Sequence, residues 1–368
     1  MTKDTELQEE DIYGTKGYFD TFIAERNIKD ETVKGYKTAI KQYCLLHRKS
    51  IEELIDEAID EEDNKEIKKR DRRIKGRLIK FRTFLMENKD IKYSTMQVRM
   101  RKILAIYNHF DIDIPNLPKV QHDTIEQTTY FDLPNKKHIK MALESCGIMM
   151  QSLILFMASS GTGREECANI TIGDFITGCQ DYITKESLPD IIEELYGCTE
   201  PIVPTLYIER MKTKKRYYTF CTPETTDAIV KWLILRLEKA KIKNKELSFN
   251  DKLWGLRPRQ ITYHFTNIND ELNFGYKDGY RFFRPHTLRK FNSSNIGLSE
   301  ENIDAIQGRS KDRIHAAYIK TNPAVLKNIY MNAMENVTIG DYRKQIIHED
   351  ITVNINLNFY GQEYGVSL

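Results

Sequence analysis

The sequence contains few cysteines and no cysteine or histidine pattern that is typical of a metal site. Its 368 residues include six cysteines and eight histidines. The cysteines form no C-x-x-C pair, and the histidines form no H-x-x-x-H pair. Structural zinc sites and the disulfide frameworks of small domains depend on such clusters. We therefore expect neither, and a reducing cytoplasm is the predicted compartment.

Long hydrophobic runs are also missing. The longest apolar stretch, residues 148–158, is interrupted by Gln151 and is far shorter than the roughly 20 residues that a bilayer requires. The first 14 residues are acidic and have no apolar core, so they do not resemble a secretory signal. No membrane association is expected. Aromatic residues at 10% can bury enough surface to exclude a disordered chain, and the length predicts about two domains.

An excess of charge of one sign is absent from the whole chain but present locally. The totals of 56 Lys and Arg and 54 Asp and Glu give a net charge of +2, which alone argues against a nucleic-acid partner. Residues 51–63, however, contain eight acidic residues and no basic one, whereas residues 64–82 contain ten basic and two acidic residues. Residues 210–216 add five basic residues. We expect the acidic run to lie away from a polyanionic partner and the basic runs to face it.

Apolar residues recur at helical spacing in the first third of the chain. Helices are predicted to begin at Asp30, at Ser50 with Glu53 as a capping box, and at Ser94 with Gln97. Another helix is predicted to carry Ile67, Ile74, Leu78, Phe81 and Leu85. These four helices predict a small bundle, and two prolines within residues 114–123 predict a linker after it.

Beyond the linker, the pattern is mixed. Residues 135–146 and 148–160 predict helices that are each closed by a glycine, and residues 205–210 and 216–221 predict two strands joined by a basic turn. Thr222 and Pro223 predict the start of a further helix, which three or four more follow. Residues 351–359 alternate between apolar and polar, which predicts a single strand that must complete a sheet in this protomer or in an adjacent one.

The predicted fold class is mainly α with a small β-sheet (α+β). The predicted boundaries are an N-terminal tail (1–14), a helical domain (15–113), a linker (114–128), a second domain (129–345) and a C-terminal strand or tail (346–368).

Four separated segments each place a cation or a hydroxyl at a helix start or a tight turn. They are residues 159–166 (Ser-Ser-Gly-Thr-Gly-Arg-Glu-Glu), the hairpin lysines Lys212, Lys214 and Lys215, residues 284–290 (Arg-Pro-His-Thr-Leu-Arg-Lys), and residues 307–310 (Gln-Gly-Arg-Ser) followed by Tyr318.

In that order and spacing, the segments resemble the tyrosine recombinase family of site-specific DNA integrases. His286-Thr-Leu-Arg289 matches the H-x-x-R box of that family, and Gln307-Gly308-Arg309 stands where its members have Leu-Gly-His, with Tyr318 nine residues beyond. Arg164 lies in a segment similar to the first arginine box, and Lys212-Thr213 resembles the Lys-Thr turn of the catalytic hairpin. The resemblance covers residues 128–334, and the preceding bundle matches the core-binding (SAM-like) domain of the family in size and position.

The chemistry of a phosphodiester explains why such residues would be needed. Arg164 and Arg289 can bind the non-bridging oxygens bidentately at any working pH. His286 can accept the proton of Tyr318, the expected nucleophile, and Lys212 can protonate the 5′ oxygen that leaves. The product would be a 3′-phosphotyrosine that conserves the bond energy, so neither metal nor ATP is needed and no cofactor is expected.

Some positions depart from the family pattern. Arg309 occupies the place of a histidine or tryptophan; it can donate hydrogen bonds to phosphate but cannot act as a base. Glu166 is a candidate for the supporting acidic residue, because Cys167 occupies the place where one is often found. Lys214 is an alternative to Lys212, and His315 is an alternative base that can equally be a surface residue. Tyr330, the next tyrosine, is predicted to lie in the core.

The basic run predicts a stripe of phosphate contacts, with a solvated helix face as the alternative. The predicted DNA-binding residues are Lys68, Lys69, Arg70, Arg72, Arg73, Lys75, Arg77 and Lys80, together with Lys215 and Arg216 of the hairpin.

Three hypotheses for the function follow. The first is an integrase of a virus, provirus or other mobile element that recombines double-stranded DNA attachment sites as a homo-tetramer in the host cytoplasm, at the nucleoid. Its further candidate partners are accessory DNA-bending or directionality proteins. The second is a sequence-specific DNA-binding protein that keeps the fold without the chemistry. The third is a DNA-relaxing enzyme similar to topoisomerase IB.

Overall fold

The computed structural model describes residues 11–120, 129–309 and 322–340, and the backbone of two short strands at 357–359 and 362–364. The described residues are mainly helical, with three two-stranded antiparallel sheets. The predicted α+β class is therefore confirmed. The chain divides into two compact units, residues 1–125 and 126–368. No helix among the described residues is long and apolar enough to cross a membrane.

The first unit is a helical bundle whose core includes Phe22, Tyr43, Phe81 and Tyr107. Its helices are α1 Tyr18–Glu25, α2 Asp30–His47, α3 Ile51–Asp63, α4 Arg73–Glu87 and α5 Tyr93–His109. Helix α1 was not predicted, and Ile12, placed by the sequence in an N-terminal tail, is buried.

Local signals located some helix starts well and others poorly. The predicted capping box is present, since Ser50 Oγ accepts a hydrogen bond from Glu53 N at 3.1 Å and the Glu53 side chain accepts one from Ser50 N at 2.7 Å. Helix α4 begins at Arg73, so Ile67 lies in the loop before it. Helix α5 begins at Tyr93 and its N-cap residue, Lys92, forms no side-chain cap hydrogen bond, so the predicted start with a cap at Ser94 was wrong.

The acidic and basic runs, expected to lie apart, pack against each other through α3 and α4. The buried carboxylate of Glu57 accepts two hydrogen bonds from Arg77, at 2.5 and 2.8 Å, and also pairs with Lys49 and Arg73. Arg73 pairs in addition with Glu61. The polarised arrangement predicted from the sequence is therefore wrong for these residues, because a buried carboxylate is stable only beside a cation.

Ion pairs reduce the number of predicted DNA-binding residues on this unit that are available to a phosphate. Five of the predicted residues are in ion pairs: Lys69 with Asp113, Arg70 with Asp71, Arg72 with Glu62, and Arg73 and Arg77 with the carboxylates of α3. Lys68, Lys75 and Lys80 form no ion pair with a described residue. Contact between this surface and DNA stays a prediction, and these three lysines are its best candidates.

Replacing Glu57 with Gln should destabilise the first unit by about 2 kcal/mol, because Lys49, Arg73 and Arg77 would lose their shared counter-charge. Burial raises the pKa of Glu57, but hydrogen bonds from Arg77 and Lys49 outweigh this, and the net pKa lies below the ordinary 4.5. The stabilisation from ionised Glu57 is thus complete above pH 4.5 and is lost as the pH falls through the lower, folded-state pKa. Below that pH, the stabilities of wild type and variant should converge.

Amide hydrogen exchange in the peptides of α3 and α4 of the whole chain measures this effect. Asp60→Asn is the matched control, since Asp60 is an exposed carboxylate on the same helix. Equal protection in the two variants at neutral pH would contradict the structural role of Glu57.

The second unit surrounds α7 Ile148–Ser160, an almost fully buried helix. Its remaining helices are α6 Lys136–Glu144, α8 Arg164–Cys167, α9 Ile172–Gly178, α10 Leu188–Gly197, α11 Pro223–Ile242, α12 Pro258–Glu271, α13 Pro285–Asn295, α14 Glu300–Ile306 and α15 Pro323–Ala333. Its strands are β1 Leu206–Glu209, β2 Arg216–Thr219, β3 Tyr276–Lys277, β4 Tyr280–Arg281, β5 Leu357–Phe359 and β6 Gln362–Tyr364.

The predicted hairpin is present, because β1 pairs with β2 in the register Leu206 to Thr219. Helix α7 ends as predicted at Gly161, whose φ of 66° is the left-handed conformation that favours glycine. The hairpin of β3 and β4 was not predicted. In the tail, β5 pairs with β6 rather than remaining a single strand, whereas residues 351–356 of the predicted strand lie outside the described residues.

Candidate functional site

The structure brings three of the predicted catalytic residues to one pocket. Arg164, His286 and Arg289 line a cavity of about 450 Å³ in the second unit. Arg164 is the first residue of α8, and His286 and Arg289 lie on the first turns of α13. The H-x-x-R spacing puts the last two on the same helix face, because residues three apart are neighbours there.

Arg289 is held by two backbone carbonyls. Its Nη1 donates to Gly161 O at 2.7 Å, and its Nη2 donates to Gln307 O at 2.8 Å. Burial lowers the pKa of Arg289, and the nearby cations Arg210 and Arg309 lower it further. A guanidinium has five N–H donors, so Arg289 is fixed in position and still has donors for an anion.

A buried amide network supports this arginine, and reasoning from the sequence missed it. Asn292 Nδ2 donates to Ala158 O at 3.0 Å and to Ser159 O at 2.8 Å, and Gln307 Nε2 donates to Asn292 Oδ1 at 2.7 Å. A Cβ added at Gly161 would lie only 2.3 Å from Gln307 Nε2. The glycine is therefore required both by its φ and by the space that the network occupies.

Arg309 joins the same network through a serine. Its Nη2 donates to Ser293 Oγ at 2.7 Å, and Gln307 Nε2 donates to the same oxygen at 3.0 Å. Its Nη1 lies 3.9 Å from Asp304 Oδ1. Arg309 is thereby positioned as a hydrogen-bond donor near Arg289. Ser293 lies four residues after Arg289, and this helical spacing was the only signal that could have identified it.

His286 is exposed to the pocket, but neighbouring protein atoms still affect its ionisation. Partial desolvation of the imidazole lowers its pKa, and the cations Lys290, Arg284, Arg289 and Arg309 lower it further. The imidazole is therefore neutral at pH 7 and has a lone pair available to accept a proton.

Arg164 contacts a different set of residues from Arg289. Its Nη1 donates to Thr262 Oγ1 at 2.8 Å, and its Nε donates to Glu165 Oε1 at 3.2 Å. Glu166, the candidate supporting residue, has its Oε2 only 2.5 Å from the position of a Cβ at Gly163, and its charge acts on Arg289. In this arrangement the Arg164 guanidinium is exposed and borders the pocket.

The hairpin lysines differ in their contacts. Lys214 has a φ of 58° and pairs with Glu209 at 2.8 Å, whereas Lys212 is exposed and forms no ion pair with a described residue. Lys215 and Arg216 are exposed, and the guanidinium of Arg216 lies over the ring of Tyr207. These contacts favour Lys212 over Lys214 as the lysine available to a substrate.

The base of the hairpin is joined to the turn that carries Arg309. Arg210 Nη1 donates to Gly308 O at 2.6 Å, and the ring of Tyr217 covers the Cα of Gly308, where a Cβ would meet it at 2.4 Å. Burial raises the pKa of Tyr217, so it stays neutral. Neither residue belongs to the segments that carried the prediction.

Tyr318 and His315 lie outside the described residues. Tyr330 is buried, as predicted, and its hydroxyl donates to Ser159 O at 3.1 Å.

Comparison with known proteins gives matches to structures only. No protein-family model matches the chain, and no curated protein sequence matches it. The chain is similar to XerA recombinase, at 16% identity and a TM-score of 0.36, over 86% of this chain and 96% of that one. It is similar to the Tn1549 transposon integrase in complex with transposon right end DNA, at 14% identity and a TM-score of 0.46, over 85% and 93%.

A third similar structure is the XerH site-specific recombinase bound to difH substrate, at 12% identity and a TM-score of 0.46, over 84% of this chain and 82% of that one. At such identities the likeness concerns the fold alone, so what the site does depends on the residues of this chain.

Gly161→Ala should lower the stability of the second unit by about 2 kcal/mol or more, because the new Cβ overlaps Gln307 and the backbone is left-handed. Gly147→Ala, at the other end of α7, is the matched control, since no atom lies within 4 Å of its Cβ position. Urea unfolding followed by the fluorescence of Trp232 and Trp254 would measure both. Equal midpoints for the two variants would contradict the packing described for Gly161.

Proposed function

We propose that the protein is a site-specific DNA recombinase of the tyrosine type, which cuts and rejoins strands through a 3′-phosphotyrosine. The observation that carries the proposal is the hydrogen-bonded network that fixes Arg289 and places Arg309 beside it, at a pocket shared with His286 and Arg164. Such a group of fixed cations is complementary to the extra negative charge of a phosphoryl transition state.

Binding of the scissile phosphate falls to the guanidiniums. Arg289 donates two of its five N–H groups to carbonyls, and its remaining donors are free to bind non-bridging oxygens. Arg309 donates a further hydrogen bond, in place of the usual histidine. Arg164 would bind the same phosphate after its hydrogen bond to Glu165 breaks. That bond, 3.2 Å long and between exposed groups, contributes little to stability.

Proton transfer falls to His286 and Lys212. Tyr318 attacks phosphorus, and the neutral imidazole of His286 takes the phenolic proton, since arginine cannot act as a base. Lys212 protonates the 5′ oxygen as the P–O bond breaks. The hydrogen bond from Arg210 to Gly308 O would keep the lysine hairpin in register with Arg309 during this step.

The biological setting is proposed by analogy. The lambda integrase is described as a tetramer bound to a Holliday junction, and the Tn1549 protein is bound to transposon DNA. We infer a homo-tetramer acting on attachment sites of a mobile element such as a virus or provirus, in the cytoplasm at the nucleoid, with accessory DNA-bending or directionality proteins as candidate partners. A DNA-binding protein without chemistry is the competing function, which Arg309 in the place of a histidine favours.

On a duplex that carries a nick next to the cleaved phosphate, the wild type should accumulate a covalent adduct, because the released strand diffuses away and cannot be rejoined. Tyr318→Phe should abolish this adduct, because phenylalanine has no hydroxyl to attack phosphorus. The adduct is measured as a band of lower mobility on a denaturing gel, with a library of nicked duplexes in place of the unknown attachment site. DNA binding by the variant should be unchanged.

Tyr263→Phe is the matched control, since Tyr263 is 62% exposed on α12 and lies outside the pocket lining. It should form the adduct at the wild-type rate. An adduct in Tyr318→Phe would refute the assigned nucleophile, whereas binding without any adduct in the wild type would favour the non-enzymatic function.

The rate of adduct formation should be independent of pH around 7 and should fall only below about 6.5, the ordinary pKa of histidine, because the pKa of His286 is lowered and its neutral form is the base. Single-turnover rates between pH 5 and 8 measure this. His286→Gln should be slower by about 100-fold and should lose the acidic limb. A limb that persists in this variant would assign the titration to another group.

A further inference from the structure

Beyond its cations, the pocket has an aromatic half that phosphate binding does not use. Phe265 and Phe283 are buried and stack at a centroid distance of 5.4 Å, whereas Tyr276 and Tyr280 on the hairpin of β3 and β4 are 63% and 50% exposed. All four line the same cavity as His286 and Arg289. A phosphodiester alone needs no such surface.

The hairpin tyrosines are each paired with an arginine. The guanidinium of Arg281 lies 5.3 Å from the ring centre of Tyr276, and that of Arg284 lies 4.3 Å from that of Tyr280. Both phenol rings are therefore held in place by planar cations. The turn between them, with φ of 51° at Asp278 and 69° at Gly279, is the tight type that two-residue hairpins favour.

One hydrogen-bond donor of the pocket, Arg284 Nε, has no acceptor among the described residues. This nitrogen is buried, and burial lowers the pKa of the guanidinium. The lining contains no Asp or Glu among the described residues. A desolvated donor in a cavity without carboxylates is complementary to an anion or to a carbonyl oxygen.

We propose that this pocket holds one unstacked nucleotide of a DNA strand, with its base against Tyr276 and Tyr280 and its polar edge or phosphate on Arg284. A volume of about 450 Å³ lies within the roughly 300–1,000 Å³ of small-ligand sites. The proposal rests on the proposed function, because a strand that rejoins elsewhere must first leave its base partner. The pocket binds the nucleotide beside the phosphate that Arg289 holds.

The lining also predicts how selective this site is. Its neutral polar groups are the hydroxyls of Thr262, Thr266, Tyr276 and Tyr280 and the imidazole of His286, and the described lining has no Asn or Gln to read an adenine edge. Stacking on aromatic rings is tolerant of sequence because every base has a π-face. The pocket should therefore accept any base and prefer single strands to duplex.

Photocrosslinking tests the proposal directly. The probe is a single-stranded 12-mer of mixed sequence that carries 5-iodo-deoxyuridine, irradiated with the full-length protein and mapped by mass spectrometry. Adducts should fall on Tyr276 or Tyr280, and the same sequence as duplex should give fewer. Tyr280→Ala should weaken binding of the strand by about tenfold, the loss of one stacked base. Tyr263→Ala should have no effect, since Tyr263 is an exposed tyrosine on α12 outside the pocket lining.

Competition identifies the source of the nucleotide. If thymidine 5′-monophosphate at the same concentration as the 12-mer removes the crosslink, the pocket prefers free nucleotides and the DNA-strand proposal is overturned. Crosslinks confined to other segments, or an equal loss in Tyr263→Ala, would also overturn it.

The Tyr318→Phe variant separates the two proposals, because its crosslink should persist without strand cleavage. Crosslinking at the pocket without any covalent adduct in the wild type would refute the recombinase and support the pocket. An adduct without a pocket crosslink would support the recombinase and refute the pocket.

Discussion

The partial burial of Arg289 is the constraint around which the second unit is arranged. A guanidinium removed from water needs compensation, and here the carbonyls of Gly161 and Gln307 provide it in place of a carboxylate. Both carbonyls lie at helix C-termini, those of α7 and α14, where unpaired C=O groups carry partial negative charge. Such dipoles stabilise the cation without neutralising it. The site therefore keeps a net positive charge in a fixed place.

The neighbouring cations increase the positive charge around Arg289. Arg210 and Arg309 both lower the pKa of Arg289, and Arg309 and Arg289 both lower that of His286, so the positive groups repel one another in the unliganded protein. Folding tolerates the repulsion because Gly308 O accepts a hydrogen bond from Arg210, Ser293 Oγ accepts one from Arg309, and two backbone carbonyls hold Arg289. A bound phosphate would relieve the repulsion. The same arrangement that costs stability in the free protein thus favours an anion, most strongly one that gains charge in a transition state.

The parts of this site that the sequence could predict are those formed by residues close together in the chain. The pairing of His286 with Arg289 is local, since three residues of helix place them together. The network of Asn292 with Gln307 joins residues 15 apart, and the bond from Arg289 to Gly161 joins residues 128 apart, so no local pattern signals either. The hairpin of β3 and β4 was missed because strands of two residues have no period to detect. Counting charges failed for a similar reason, because it reveals runs of one sign but not that Glu57 and Arg77 meet.

Arg73 and Arg77 of α4 differ from Arg289 and Arg309 in the groups to which they donate hydrogen bonds. In the first unit, Arg73 and Arg77 donate to carboxylates that are themselves buried, so binding a phosphate would require breaking pairs that stabilise the fold. In the second unit, the hydrogen bonds of Arg289 and Arg309 go to neutral oxygens, and the one carboxylate contact, from Arg309 to Asp304, is long at 3.9 Å. Binding an anion there breaks no short ion pair. The number of basic residues in a run therefore overstates the phosphate contacts it can make. The salt dependence of DNA binding should reflect the cations without carboxylate partners, not the ten bases of residues 64–82.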